Sequence, residues 1–352
     1  MHYVRGKYIH NFAPRPPFAM NVFPVSNSTL SPVHLGIFLQ KHYLPDQQVT
    51  CTILKTGISD TYLIQTPERR YIFRVYSFQW RTLTEISEEL RLLEHLQANG
   101  ISVSFPIADS QGKLIHSFEA PEGTRHGVLF SFAEGQKVLN FEAETHFRVG
   151  ELMARMHLLT EGFALQRITY TEKELLIDSL EQLGRFLPGD TGEMRYMRTI
   201  QAYLLAELRN ADQSRLRRGA VHLDLWFDNM NVTPEGDVTF FDFDFCGNGW
   251  LCLDMAYYVL QIHATEKDEA ECARKTAEFY KGYESVVPVT EEEKRLVPML
   301  GICLYFFYLG VQSRRYDDWS NVFLNEIYLK RFINLLLKKY FDYHQLGPAQ
   351  TA

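Results

Sequence analysis

Hydrophobic positions follow two regimes along this chain. From residue 49 to 77 they come in short alternating runs: Val49-Thr-Cys-Thr-Ile-Leu-Lys-Thr-Gly57, Asp60-Thr-Tyr-Leu-Ile-Gln-Thr66 and Tyr71-Ile-Phe-Arg-Val-Tyr-Ser77, with a turn signal at 67–70. Runs of this kind between breaks predict a three-stranded antiparallel meander. The period then lengthens. Ile86, Leu90, Leu93 and Leu96 share a helical face and Gly100 follows them, which predicts a helix over 84–99. A shorter helix fits 33–44, a strand pair fits 103–118, and 129–135 reads as a strand running into a loop. Beyond about residue 137 the helical period dominates, at 141–160, 172–187, 191–211, 254–265, 268–283, 291–313 and 322–341. A strand–turn–strand signal near 229–241 interrupts it.

Strands first and helices afterwards define an α+β chain of two lobes. The expected organisation is an N-terminal arm at 1–30 rich in Pro and aromatics, a small antiparallel-sheet N-lobe at 31–127, a crossing at 128–136, a mainly helical C-lobe at 137–343 and a frayed tail at 344–352. The most apolar run, 296–311, contains Pro298, Gly301 and Gly310 and falls short of the ~20 residues of a membrane span. It reads as a buried core helix. The first 25 residues hold no continuous apolar stretch of the signal-peptide kind.

Composition adds bounds. The 352 residues are 46% hydrophobic and 22% charged, which fits a globular, soluble chain with a sizeable core. A net charge of −7 argues against nucleic acid or an anionic membrane as a main partner. Five cysteines without a CxxC pattern read as reduced thiols of a cytoplasmic protein, and the scattered histidines argue against a zinc site. Oligomeric state is not legible.

The densest chemistry lies in residues 221–254, VHLDLWFDNMNVTPEGDVTFFDFDFCGNGWLCLD. Pro234-Glu235-Gly236-Asp237 is a turn signal between two β-prone runs. Centring the hairpin between Glu235 and Gly236 sets Asn229 opposite Asp242. Directly opposed residues stand about 4.5–5.5 Å apart, close enough for two side-chain oxygens to share a hard cation. Mg²⁺ suits such a pair, with phosphate oxygens and water completing its shell. A slip of one residue would turn one of the two side chains away. Asp224, five residues before Asn229, is left to act on a substrate hydroxyl.

The spacing His222-x-Asp224-x-x-x-x-Asn229, followed by Asp242-Phe243-Asp244, resembles the catalytic loop and metal-binding segment of protein kinases. It is more similar to the aminoglycoside phosphotransferase and choline kinase-like superfamily, and the likeness extends over residues 50–340. That resemblance implies a two-lobed protein-kinase-like fold and an ATP- or GTP-dependent, Mg²⁺-requiring transfer of phosphate to a hydroxyl. Gly57, Ser59, Asp60 and Tyr62 resemble the superfamily's G-x-S-N-x-x-Y stretch, which would cover the phosphates, although an ordinary hairpin turn explains a single Gly as well. Arg74 stands where kinases place the phosphate-binding lysine. A guanidinium keeps its charge and can grip phosphate with two N–H groups. Glu89, followed by Leu93, Leu96 and Gly100, matches the superfamily's pattern for the partner of that cation, with Glu85 and Glu88 as rivals. Phe130 and Phe132 fit the crossing that would bind a nucleobase, or a plain buried strand.

The same resemblance assigns His222 to bracing the loop. It gives Asp244 a second metal or the phosphate edge, with a capping role as the plainer alternative. Asp254 would be a helix N-cap that also braces the loop. The stretch 150–157 resembles the family's LA-x-LH helix, with His157 as a core histidine. For the acceptor, two features invite assignment: the acidic stretch 266–293, suited to a polycation or simply solvated, and the pair Arg314 and Arg315, suited to an anionic group. An aminoglycoside, a homoserine or an amino alcohol all remain open as acceptors. So do a protein kinase of the bacterial stress-response type and, outside catalysis, a nucleotide-binding regulator. A metal hydrolase is the weaker alternative.

Overall fold

The structure, a computed structural model, describes residues 24–316 and 323–347. Most of the expected N-terminal arm and the end of the tail lie outside that range. The chain forms a sheet-rich lobe followed by a helical lobe, the two-lobed α+β arrangement expected. Helix α1 (Pro32–Tyr43) precedes the meander β1 (Thr50–Lys55), β2 (Ser59–Gln65) and β3 (Arg70–Tyr76). Helix α2 (Leu83–Ala98) follows, opened by a capping box between Thr82 and Glu85. Then come β4 (Pro106–Ile107), β5 (Ile115–Ala120) and β6 (Gly123–Ser131), in a sheet ordered β1-β2-β3-β6-β4 with β5 also on β6. The expected pairing within 103–118 is not seen: β4 and β5 both pair with β6, because β6 is long enough to serve both.

The chain leaves the sheet after Ser131 and enters α3 (Ala143–Thr160). Next come a π turn at Lys173–Ile177 leading into α4 (Asp178–Leu183), and then α5 (Gly192–Arg209). Four short strands carry the chemistry: β7 (Arg218–Val221), β8 (Met230–Val232), β9 (Val238–Phe240) and β10 (Gly247–Trp250). They are followed by α6 (Cys252–Thr265), α7 (Glu269–Glu284), α8 (Glu291–Arg314) and α9 (Glu326–Phe332). A second π turn at Ile333–Leu337 then leads into α10 (Lys338–Tyr343).

Two cores divide the molecule. A small one under α1 joins Leu35 and Leu39 to Tyr62, Phe73 and Val75. The large one fills the helical lobe and also takes Ile86, Leu90, Leu93 and Leu96. The apolar face of α2 therefore belongs to the same core as the helical lobe. Helices α3 and α7 meet backbone to backbone, where a Cβ on Gly150 would lie 2.1 Å from the Phe279 carbonyl oxygen and one on Gly282 would lie 1.9 Å from that of Phe147. Among the described residues, α8 is the one helix long and apolar enough to cross a membrane, so the expected shortfall in length is corrected. Of its most apolar window 83% is buried inside the fold, as a core helix requires. All five cysteines are free, and only Cys51 is not fully buried.

Candidate active site

The loop after β7 is built around a strained residue. Leu223 has φ of 68°, a left-handed conformation that costs a non-glycine residue about 1–3 kcal/mol. It is held from both sides. Its N–H donates to Asp254 Oδ1 at 2.6 Å, its carbonyl accepts from the Tyr308 hydroxyl at 2.9 Å, and its side chain is fully buried. Asp254 also accepts from the His222 N–H at 2.9 Å and faces His157 Nε2 at 3.2 Å. It is not an N-cap: α6 begins at Cys252 after Leu251, and Asp254 sits inside the first turn with its carboxylate turned to the loop. His222 Nδ1 accepts from the Asp224 N–H at 3.2 Å, which leaves Nε2 to donate to the Phe241 carbonyl at 3.0 Å. His157, fully buried, also meets the Tyr283 hydroxyl at 2.7 Å.

Asp224 projects into a cavity of about 510 Å³ between the lobes. Its Oδ2 accepts from Asn229 Nδ2 at 2.8 Å and its Oδ1 from the Tyr308 hydroxyl at 3.2 Å. Burial pushes its pKa up to about 7; a hydrogen bond from Tyr257 opposes that rise, the charge of Asp242 adds to it, and the bonds from Tyr308 and Asn229 oppose it.

The hairpin register differs by one residue from expectation. The pairs are Met230 with Phe240, Asn231 with Thr239 and Val232 with Val238, so Asn229 lies opposite Phe241 rather than Asp242. The reason is Gly236, whose φ of 86° draws the turn tight and centres it on Glu235. Such a slip should turn Asp242 to the other face. It does not, because the backbone leaves the strand there: Asp242 is itself left-handed, with φ 65° and ψ 59°. Asn229 and Asp242 consequently line the same cavity as Asp224.

Arg74 reaches this cavity from β3. Its Nη2 lies 2.5 Å from Asp242 Oδ1 and its Nη1 3.5 Å from Glu89 Oε1. Glu89 is thereby separated from its rivals: Glu85 is spent in the capping box, and Glu88 is bound by Arg91 and the Gln166 N–H. Gly57 and Ser59 line the cavity from the β1–β2 turn, and the buried Ser59 hydroxyl has no protein partner. Phe130 and Phe132 line a neighbouring cavity of about 590 Å³ with Ile72 and Leu93, and the two cavities share Arg74, Asn229 and Asp242.

The remaining candidates fall as follows. Asp244 lines the same cavity as Asp224, and rather than capping a helix its carboxylate accepts from Trp80 Nε1 at 2.7 Å and from Arg81 Nε at 3.2 Å. Arg314 and Arg315 line another cavity beside Trp80 and Arg81, which shares Phe245 and Val311 with the one that holds Asp224, and the Arg315 guanidinium lies 4.3 Å from the Trp80 ring. The acidic stretch 266–293 contributes nothing to the cavity of Asp224; Glu266, Glu271 and Glu284 pair instead with Lys275, Arg274 and Lys294.

Sequence reasoning missed Tyr257 and Tyr308, both against Asp224, and Arg167, behind Glu89. A signal existed for the tyrosines: a hydroxyl inside an apolar helix needs a buried partner. Arg167, on an irregular segment, gave none.

The comparisons with known proteins fall into place on this geometry. Residues 50–289 match the model of the APH, or phosphotransferase enzyme, family, and the chain belongs to that family. An uncharacterised protein of Synechocystis sp. is 30% identical over 335 residues, 91% of this chain and 89% of the relative. A homoserine kinase of Rhizobium etli is 28% identical over 291 residues, 79% of this chain and 84% of that enzyme. Among solved structures, an amicoumacin kinase in complex with AMP-PNP and Ca²⁺ shares the fold, with a TM-score of 0.69 and 22% identity over 88% of this chain and 96% of that one. A microcompartment-associated aminopropanol kinase aligns with a TM-score of 0.68 and 19% identity, over 87% of this chain and 98% of that one.

Proposed function

We propose that the protein transfers the γ-phosphate of ATP to a hydroxyl of a compact amino alcohol of the homoserine type, in a Mg²⁺-dependent reaction. The observation that carries this reading is the convergence of Asp224, Asn229, Asp242, Arg74 and Ser59 on one cavity that adjoins an apolar one. In the apolar cavity, Ile72, Leu93, Phe130 and Phe132 would enclose the nucleobase, with residues 128–136 as the crossing between lobes. The Ser59 hydroxyl, buried without a partner, suits a phosphate oxygen. Arg74 is poised for the inner phosphates. Asn229 Nδ2 is committed to Asp224, which leaves Oδ1 with Asp242 as the donors for Mg²⁺. The ion, when bound, would neutralise phosphate charge.

Asp224 takes the proton of the acceptor hydroxyl at its carboxylate. Burial makes it a stronger base than an ordinary aspartate, while Tyr257, Tyr308 and Asn229 fix its direction. Trp226, Tyr305 and Phe332 form an aromatic wall, with Gln261 and Gln312 as polar contacts, and Asp228, the carboxylate there beside Asp224, Asp242 and Asp244, is paired with Lys137. This favours a small acceptor with one amine over an aminoglycoside, and the homoserine kinases among the relatives point the same way. The test is ADP release from MgATP or MgGTP across amino alcohols, hydroxy amino acids, aminoglycosides and protein substrates. Turnover confined to aminoglycosides or proteins would overturn the acceptor assignment, and absence of nucleotide binding would overturn the whole reading.

A further inference from the structure

The cation behind Glu89 comes from the other lobe. Arg167 lies on the segment between α3 and the first π turn, with its side chain fully buried. Its Nη1 donates to the Glu85 carbonyl at 2.8 Å and to Glu89 Oε2 at 3.4 Å, and its Nη2 donates to the carbonyl of Asp244. Glu89 Oε2 also accepts from the Tyr76 hydroxyl at 3.1 Å. Arg74 is left with the other oxygen, at 3.5 Å, while it sits 2.5 Å from Asp242.

That asymmetry has an electrostatic origin. Arg74, Arg81 and Arg167 face two buried carboxylates, Glu89 and Asp244, and Asp242 at the cavity edge supplies the third negative charge. Burial works against ionisation of Glu89, and Arg74 and Arg167 work for it. Without Arg167, Glu89 would have one cation to draw on, and that cation is Arg74. A buried carboxylate with a single partner holds it closely. With Arg167 in place, Glu89 is satisfied from behind and Arg74 leans toward the cavity.

We propose that Arg167 is a positioning residue for nucleotide binding: by holding Glu89 from the helical lobe, it leaves the Arg74 guanidinium free to face the nucleotide phosphates. The inference rests on the nucleotide reading given above. Neighbouring contacts support a fixed frame for it. The segment around Arg167 docks along α2, with Arg91 donating to the Ala164 carbonyl at 2.6 Å, the Gln166 N–H donating to Glu88 at 2.8 Å, and the rings of His95 and Phe163 stacked 4.8 Å apart. Because α2 shares the large core, Arg167 and Glu89 keep their relation without help from ligand.

The test is MgADP affinity by titration calorimetry on purified full-length variants, with folding checked by circular dichroism. Arg167→Met should weaken MgADP about tenfold or more, as loss of a charge-assisted phosphate contact does. The double variant Glu89→Gln with Arg167→Met removes the pull on Arg74 and should regain most of the lost affinity. A residue that only staples the lobes would give no such rescue. The proposal is overturned if Arg167→Met binds MgADP as the wild type does, or if the double variant binds no better than the single one. Should Arg167→Met not fold, the double variant and Arg167→Lys replace it. Both should bind within about threefold of the wild type, and a folded protein of either kind weakened tenfold overturns the proposal. A wild type that binds no nucleotide would instead remove the function proposed above.

Discussion

The two cavities that meet at Asp242 are assembled in opposite ways. The apolar one draws on β1, β3 and β6 of one sheet, on α2, and on the irregular stretches around 132–137 and 229–243. The one in front of Asp224 draws Tyr257 and Gln261 from α6, Tyr305 and Tyr308 from α8, Phe332 from the end of α9 and Leu336 from the π turn after it. The sheet side has its geometry imposed by backbone hydrogen bonds, so it tolerates little variation. The helical side is formed by side chains on packed helices, where one substitution resizes the cavity without disturbing a ladder. On the function proposed above, nucleotide binding would fall to the fixed half and acceptor choice to the adjustable half.

Variants can break that contrast. Asp224→Asn should lower kcat by about 10²–10⁴-fold while MgADP affinity stays near wild type, measured by coupled assay and calorimetry. Weakened nucleotide binding would mean that Asp224 belongs to the sheet-side half as well. Asp242→Asn should weaken Mg²⁺-dependent nucleotide binding by about 100-fold, because Asp242 is shared by both cavities. Undiminished MgADP affinity would remove it from the metal assignment. Phe130→Ala should raise the KM of the nucleotide alone, and Leu336→Trp that of the acceptor alone, each by about tenfold. A variant that moves both constants would show that the halves are not separable.

The smallest expected effect concerns acid. His146, His263 and His344, all in the helical lobe, have pKa values pushed down to about 4 by burial. The unfolded chain binds protons at these sites near pH 6.5 and the folded one does not. Their contribution is present above about pH 6.5 and is lost as pH falls toward 4, so Tm should decline across that window. Asp224 acts with the opposite sign: its raised pKa favours the fold below about pH 4, and that contribution is lost as pH rises through about 7. Asp224→Asn should accordingly be more thermostable than the wild type at pH 8, and a lower Tm there would contradict the raised pKa.

Much of this was readable from residue order alone, for a physical reason. The meander and α2 announce themselves through period and capping, and the helical lobe through its long apolar runs. Asp224, Asn229 and Asp242 lie on one short segment, so even a register wrong by one residue picked out three residues that line one cavity; what it missed was the left-handed turn at Asp242, which no pattern of hydrophobicity encodes. Which cavity Arg314 and Arg315 line was not legible, because adjacency to aromatics says nothing about which side of a helix end faces which cavity. Tyr308 and Arg167 act on loops more than seventy residues away in the chain, and such contacts arise only when helices pack.

The π turn at Ile333–Leu337 has a consequence for how such an enzyme diversifies. A π turn holds one residue more than the α-helix around it, and each residue of a helix accounts for about 100° of rotation. Deleting a single residue there would restore the α-helical ladder at almost no cost in hydrogen bonds. It would also draw in the bulge that carries Leu336 to the cavity wall, while Phe332 stayed in place and α10 kept nearly its present face. Length at this turn is thus a dial for the outer wall of the acceptor cavity, and gain or loss of one codon can turn it in a single evolutionary step.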